Sequence, residues 1–292
     1  MELNKDQIEF LNNHVIPTVN SEYMSKIIDS MLNISVFLDD FESVSRLEDM
    51  KLKGGWVLNE TTGLVDIRGS FNCRGKKLKD FNGIKFGRVT GYFNCSNNEL
   101  TSLEGSPNYV REFFDCSNNQ LTSLKGAPQY IGEDFACSNN QLTSLKGAPQ
   151  EVKRDFYCSH NNLTSLEGAP QEVGGNFYCD NNSLTSLEGA PQEVGDSFYC
   201  SDNNLASLEG APQEIGGCFY CSYNKLNSLE GAPLKVEGDF HCYNNKLTSL
   251  KGAPLKVEGS FYCSYNKLTS LEGKPKYIGE EFDFDFNPIS KE

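Results

Sequence analysis

The chain has 292 residues, with 26 Lys and Arg against 40 Asp and Glu, a formal net charge of −14 and 38% hydrophobic residues. An acidic chain repels phosphate backbones, because nucleic-acid binding depends largely on Lys and Arg, so nucleic acid is not expected as a partner. No apolar run approaches the ~18 residues that a membrane span requires, and the first residues, MELNKDQIEF, lack the basic and apolar regions of a secretory signal. We therefore expect a soluble cytoplasmic protein with no membrane partner.

Residues 1–50 predict a small helical region that carries half of the net negative charge. Ile8, Leu11 and Val15 recur at helical spacing behind Asn4, a good N-cap, and Pro17 ends this segment. A second apolar stripe from Ser21 to Val44 predicts another helix. We interpret 1–50 as a cap on the end of the fold that follows; the alternative is a module that binds a partner or mediates self-association.

Residues 51–72 predict the turn that leads into the rest of the fold. This segment contains Trp56, the only tryptophan, and Leu64, Val65 and Ile67 in a nearly alternating pattern. Alternation of this kind is typical of a half-buried strand.

Residues 73–289 predict a solenoid, because cysteines recur every 21 residues after a first step of 22, at positions 73, 95, 116, 137, 158, 179, 200, 221, 242 and 263. With cysteine as position 1, each repeat has Asn at 4, Leu at 6 and 9, Gly at 11, Pro at 13 in most repeats, Val or Ile at 16 and Phe at 20. Phe156 and Cys158 are two residues apart, so both side chains point inward from a short strand. Asn161 and its equivalents should form a buried ladder that satisfies backbone groups. Gly-x-Pro excludes a long helix on the return path, which should be extended or 3₁₀-like.

The run F-x-C-x-x-N-x-L-x-x-L resembles the leucine-rich repeat, with Phe and Cys in two of its leucine positions. Its short period and Gly-x-Pro return resemble the repeats of bacterial effectors. The repeat sequence CSNNxLTSLEGAP is similar to the repeats of bacteriophage repeat proteins. The resemblance covers about residues 64–289. It implies a mainly β, right-handed solenoid of about ten turns with parallel strands. Since the chain stops soon after a degenerate repeat at Phe282–Ile289, we expect no catalytic domain of the kind that some effectors carry there.

The cysteine column predicts buried, reduced thiols. Equivalent cysteines would lie ~4.8 Å apart with parallel Cβ vectors, which does not suit a disulfide, and a straight row does not converge on a metal ion. Free cysteines commonly pack as small apolar residues. Cys218 and Cys221 form a C-x-x-C pair, whose metal or redox chemistry we leave open as the lesser alternative.

Function should lie in the variable columns, because the repeated ones build the scaffold. Position 21 points outward between the inward Phe and Cys, and in the later turns it is aromatic; positions 2 and 3 extend this band. The residues that we expect to contact a partner there are Tyr157, Tyr178, Tyr199, Tyr220, His241, Tyr262, Tyr223, Tyr243 and Tyr265. Tyrosine is enriched in binding surfaces. The alternative is that these rings only support one another across strands.

Acidic residues flank the aromatic band, with Asp134 and Asp155 at position 19. These two carboxylates complete the predicted partner-binding surface and favour a basic partner, although dispersed carboxylates also serve solubility alone. The opposite edge, with the pairs Gln171-Glu172 and Gln192-Glu193, is interpreted as solvated surface.

The sequence predicts a non-enzymatic protein that binds another protein and needs no cofactor. The three histidines pair with no nucleophile motif, and no phosphate loop or H-E-x-x-H occurs. The phage resemblance implies an accessory protein that binds, and in one version inhibits, a host or defence protein; the alternative is a structural part of the virion. A row of Thr-Ser pairs beginning at Thr101 leaves an ice- or glycan-binding solenoid as a weaker alternative.

Overall fold

The computed structural model describes residues 3–17 and 55–289. The second helix predicted from Ser21 to Val44 lies outside these residues. Within them, no helix is long and apolar enough to cross a membrane.

The N-terminal helix α1 spans Lys5–His14, and Asn4 caps it as the sequence predicts. The Asn4 side chain accepts a hydrogen bond from the Gln7 N–H at 2.9 Å, and the Gln7 side chain accepts one from the Asn4 N–H at 3.0 Å. This reciprocal pair is a capping box. The predicted apolar stripe included Val15, but the helix ends one residue earlier, because the backbone of Val15 pairs with Phe71 in a strand.

The largest sheet has twelve strands and forms one face of the solenoid. Its first strand, β1 (Val15–Pro17), runs antiparallel to β4 (Gly69–Asn72), and all later neighbours are parallel and one repeat apart. The remaining strands are β6 (Phe93–Asn94), β8 (Phe114–Asp115), β10 (Phe135–Ala136), β12 (Phe156–Tyr157), β14 (Phe177–Tyr178), β16 (Phe198–Tyr199), β18 (Phe219–Tyr220), β20 (Phe240–His241), β22 (Phe261–Tyr262) and β24 (Phe282–Asp283).

The return path of each turn contributes a short strand to one of two further sheets. The five-stranded sheet contains β2 (Trp56–Leu58), β3 (Val65–Ile67), β5 (Phe86–Val89), β7 (Tyr109–Val110) and β9 (Tyr130–Ile131). The seven-stranded sheet contains β11 (Glu151–Val152), β13 (Glu172–Val173), β15 (Glu193–Val194), β17 (Glu214–Ile215), β19 (Lys235–Val236), β21 (Lys256–Val257) and β23 (Tyr277–Ile278). The predicted extended return path is therefore confirmed.

The core consists of the residues that recur at the same position of every turn. In the turn that begins at Phe156, the residues Phe156, Cys158, Leu163 and Leu166 are fully buried, and Val173 is 2% exposed. Stacked turns bring like residues together, so the inward phenylalanine rings lie nearly parallel, as Phe156 and Phe177 do with centroids 5.2 Å apart. Each turn has only a thin core, which is shielded from solvent by the turns stacked on either side of it.

The asparagines at position 4 form the predicted ladder between turns. Asn161 donates hydrogen bonds from Nδ2 to the carbonyl oxygens of Cys137 and Cys158, each at 3.1 Å. Its Oδ1 accepts one from the N–H of Leu142 at 3.0 Å. Each asparagine thus joins two turns and satisfies backbone groups that no strand partner reaches.

The glycine at position 11 makes the bend that starts the return path. Gly168 has a φ of 90°, in a region that other residues rarely adopt. A Cβ there would lie 2.5 Å from the N atom of Lys146 in the preceding turn. Glycine therefore serves both the bend and the close stacking of turns.

The predicted architecture is confirmed: parallel strands one repeat apart form a solenoid of 21-residue turns. The short helix α1 precedes it, with Leu11 fully buried and the rings of Phe10 and Phe71 5.8 Å apart. Trp56 on β2 donates a hydrogen bond from Nε1 to Asn12 Oδ1 at 3.1 Å, which links the helix to the hairpin of β2 and β3.

Candidate interaction surface

The predicted aromatic column at position 21 is a continuous stack on the outer face of the twelve-stranded sheet. Its rings lie 4.4 to 4.7 Å apart, with interplanar angles of 4 to 18°. In-register parallel pairing places each ring directly over the next, and every ring is half-buried. The structure brings together Tyr157, Tyr178, Tyr199, Tyr220, His241 and Tyr262.

The first tyrosine of the stack is tied to an acidic neighbour. Tyr157 donates a hydrogen bond from its hydroxyl to Asp155 Oδ2 at 2.7 Å. Burial favours a higher pKa for Asp155, but hydrogen bonds from the Asn176 N–H, the Tyr157 hydroxyl and the Asn176 amide outweigh it and lower the pKa. Asp155 is therefore a fixed carboxylate at neutral pH.

The hydroxyls of Tyr157 and Tyr178 remain protonated well above neutral pH. Burial, with the Tyr199 ring and Asp155 nearby, raises the pKa of Tyr178 to about 12. Burial and the Asp155 carboxylate raise the pKa of Tyr157 further. These two residues thus carry neutral phenol hydroxyls rather than phenolates.

Asp134, the second predicted acidic residue, lies one turn before Asp155. Its Oδ1 accepts a hydrogen bond from the Asp155 N–H at 3.0 Å. Arg154 approaches the same oxygen at 3.9 Å, with both side chains partly exposed. Asp134 therefore supports the loop edge of the surface, and part of its charge is already balanced.

His241 interrupts the tyrosines without breaking the stack. Its ring lies 4.4 Å from that of Tyr220 and 4.6 Å from that of Tyr262. Its Nε2 is buried without a hydrogen-bond partner, although Asp239 Oδ2 lies 3.7 Å away. Burial lowers its pKa against the opposing effect of Asp239, so the ring is neutral at pH 7.

The residues at position 3 share a left-handed backbone that the sequence reasoning did not anticipate. From Asn97 onward each has a φ of 53 to 57°. Asparagine and aspartate adopt this conformation readily, whereas bulky side chains rarely do. The aromatic residues in this column are Tyr223, Tyr265 and Phe286. Asparagine at five of the other turns, with Asp202 and His160 at two more, was the available signal.

The remaining predicted aromatics extend the band sideways from the stack. Tyr243 lies between the two columns, with its ring 6.1 Å from His241 and 5.4 Å from Tyr223. Tyr265 stacks on Phe286 at 4.3 Å, further toward the C-terminal end.

The early turns have a hollow where the later ones have rings. Position 21 is occupied there by Asp115 and Ala136, and a depression of about 350 Å³ opens beside them, with Tyr157 and Asn139 at its edge. The stack at position 21 is therefore confined to the later turns, from Tyr157 onward.

A groove on the seven-stranded sheet lies where only solvated surface was expected. It has a volume of about 740 Å³, and Glu172, Glu193 and Glu214 line it. Glycine occupies position 17 in three successive turns, at 174, 195 and 216, where Lys153 and Glu237 stand in the flanking turns. The run of glycines in QEVGG, QEVGD and QEIGG was the signal that the sequence carried.

All eleven cysteines are free thiols, and the ten of the column are buried as predicted. Burial raises the pKa of Cys73 to about 12, and the other column thiols are shifted in the same direction. Cys218 is half-buried; its Sγ accepts a hydrogen bond from the Asp239 N–H at 3.2 Å. Within residues 3–17 and 55–289, no group of three His, Cys, Asp or Glu could hold a metal ion.

Comparison with solved structures finds a distant structural likeness. The solved structure of YopM from Yersinia enterocolitica WA-314 aligns with 77% of this chain at 20% identity and a TM-score of 0.46. The alignment covers 61% of that protein, so this chain spans about three fifths of its length. No family model matches the chain, and no curated protein matches it. The fold therefore rests on the strand pairing of this chain itself.

Proposed function

We propose that this protein is a non-enzymatic binding protein whose aromatic surface docks another protein. The observation that carries the proposal is the continuous, half-exposed stack from Tyr157 to Tyr262. Stacking has already ordered these rings, so a partner that covers them loses little further side-chain entropy on binding. Tyrosine presents a large apolar face and a polar tip, which suits a mixed protein interface.

The proposal includes a setting that rests on the phage resemblance of the repeat. The protein would act in the host cytoplasm and bind, and thereby inhibit, a host or defence protein. The fixed carboxylate of Asp155 and the exposed face of the stack favour a partner with some basic side chains.

The test is affinity capture from a host lysate with the full chain and two variants. Changing Tyr178, Tyr199 and Tyr220 to Ala removes the centre of the stack and should reduce partner recovery at least tenfold. The matched control changes Tyr109 and Tyr130 to Ala, another stacked pair, with centroids 4.5 Å apart, on the return sheet. Recovery should be unchanged there. Equal recovery from both variants would place the binding site elsewhere.

A virion component is the second candidate, because the same resemblance allows it. Such a protein would co-purify with particles at fixed stoichiometry, whereas an inhibitor would be found in the infected cytoplasm. Mass spectrometry of purified particles separates the two.

A further inference from the structure

The aromatic residues at position 3 occupy a backbone conformation that disfavours them. Tyr223, Tyr265 and Phe286 have φ values of 54, 55 and 57°. A bulky side chain in the left-handed region is a genuine outlier, and asparagine occupies the same position at Asn118 without that strain. Backbone strain of this kind persists where function requires the side chain.

Packing does not compensate for this strain. The exposed fractions are 51% for Tyr223, 51% for Tyr265 and 71% for Phe286. Tyr265 and Phe286 contact each other at 4.3 Å, but their outer faces are open to solvent. The fold thus gains little from three large rings that an asparagine would replace at lower conformational cost.

Charges of opposite sign lie on the two sides of these rings. Position 5 of the same turns carries Lys225, Lys246 and Lys267, which are exposed because the buried Asn at 4 and Leu at 6 point inward. On the other side, where the strand enters the turn, lie the carboxylates of Asp239, Glu281, Asp283 and Asp285. Within the described residues, none of the three lysines and none of these carboxylates pairs with an ion of opposite charge; only Asp239 has a titratable neighbour, the neutral ring of His241 at 3.7 Å.

We propose that this C-terminal aromatic patch, formed by Tyr223, Tyr243, Tyr265 and Phe286 between the lysine row and the carboxylates, docks a second copy of the chain. A two-fold contact must be self-complementary. If the two-fold axis runs parallel to the solenoid axis, each copy presents its lysine row to the carboxylates of the other, and the aromatic rings meet in the centre. An axis across the turns would instead oppose lysine to lysine, so the charges select a side-by-side, parallel dimer.

The dimer deepens the proposed function, because it names the occupant of one end of the aromatic surface. The stack from Tyr157 to Tyr220 remains free for a different protein. A patch that spans four turns at ~4.8 Å spacing is smaller than a standard interface. We therefore expect a concentration-dependent dimer with a dissociation constant in the micromolar range that weakens with added salt.

The test measures the mass of the full chain by sedimentation equilibrium from low micromolar to several hundred micromolar protein. The wild type should shift from monomer to dimer. The variant Tyr223→Asn, Tyr265→Asn, Phe286→Asn should dissociate at least tenfold more readily. Single replacement of Tyr223 by Asn should also raise the melting temperature, because asparagine relieves the left-handed strain. A purely structural role for Tyr223 predicts a lower melting temperature.

A charge-exchange pair tests the geometry of the contact. One variant carries Lys225→Glu, Lys246→Glu and Lys267→Glu, and the other carries Glu281→Lys, Asp283→Lys and Asp285→Lys. Each alone should be monomeric, because like charges face each other, whereas their mixture should restore the dimer.

A monomeric wild type at several hundred micromolar would overturn the inference, as would a dimer that survives the triple asparagine change. The second outcome would assign self-association to another segment, such as the N-terminal region. Neither result affects lysate capture through Tyr178, Tyr199 and Tyr220, so failure here is distinguishable from failure of the proposed function.

Discussion

The twelve-stranded sheet carries two columns of side chains that point to opposite faces, one inward and one outward. The inward column is phenylalanine in every turn, fully buried from Phe71 to Phe261. Consecutive rings from Phe93 to Phe261 lie 5.2 to 5.7 Å apart. The outward column changes from Asp115 and Ala136 to Tyr157, yet the turns keep the same register. The inward column therefore specifies the fold, and the outward one is free to carry function.

Alkaline pH should destabilise the fold through the inward-facing cysteine column. A thiol in the unfolded chain ionises near pH 9.0, whereas burial raises the pKa of Cys73 to about 12 and shifts the whole cysteine column upward. The unfolded state thus loses protons that the folded state retains, and stability is lost as the pH rises from about 9 toward 12. Each thiol contributes a slope of up to about 1.4 kcal/mol per pH unit. Urea midpoints between pH 7.5 and 10 measure this effect.

The control for the pH effect is Cys200→Ala with Cys221→Ala. This variant loses two ionising groups, so its stability should fall less steeply above pH 9. An identical slope would show that the thiols are not the titrating groups.

Replacing one ring of the inward column and one ring of the outward column by alanine should show how much each column contributes to the free energy of unfolding. Phe198→Ala leaves a cavity among fully buried neighbours and should cost about 3 to 5 kcal/mol of unfolding free energy. Tyr199→Ala, the next residue on the same strand, removes only a half-exposed stacked ring and should cost about 1 kcal/mol. Equilibrium unfolding in urea gives both values. Similar losses would contradict the distinction between the columns.

Removing one rung of the asparagine ladder should cost about 2 to 4 kcal/mol, because buried backbone groups are left without partners. Asn203 donates to the carbonyl oxygens of Cys179 and Cys200 and accepts from the Leu184 N–H. Asn203→Ala is therefore compared with Asn204→Ala. The Asn204 side chain is half-exposed, and its loss should change stability by less than about 0.5 kcal/mol. Equal effects would show that the hydrogen bonds of the asparagine ladder do not contribute to the free energy of unfolding.

The smallest expected effect concerns thiol accessibility rather than stability. In the native protein at pH 8, a maleimide should modify Cys218 well before the ten buried thiols of the column, whereas all eleven react in denaturant. Intact mass against time measures the order. Rapid native modification of several thiols would contradict the burial of the column.

Much of the solenoid could be predicted because each repeat has the same residue types at the same positions. Phe, Cys and Leu at inward spacing, Asn161 at the strand end and Gly168 at the bend each have one physical role that a 21-residue period repeats in register. The outward stack followed from the same alternation. The partner of that stack did not, because aromatic exposure alone does not identify a ligand.

The sequence by itself determined the period, the inward columns, the asparagine ladder and the first helix with its Asn4 cap, since these depend on contacts within a turn or between identical turns. Only the tertiary structure decided that Val15 leaves the helix to pair with Phe71, that the return strands form two sheets, and that Tyr223 and Phe286 adopt a left-handed backbone. The physical reason is range. Pairing between residues far apart in the chain depends on how the turns are placed in space, and the stacked turns hold Tyr223 and Phe286 in a backbone conformation that their own local preference disfavours.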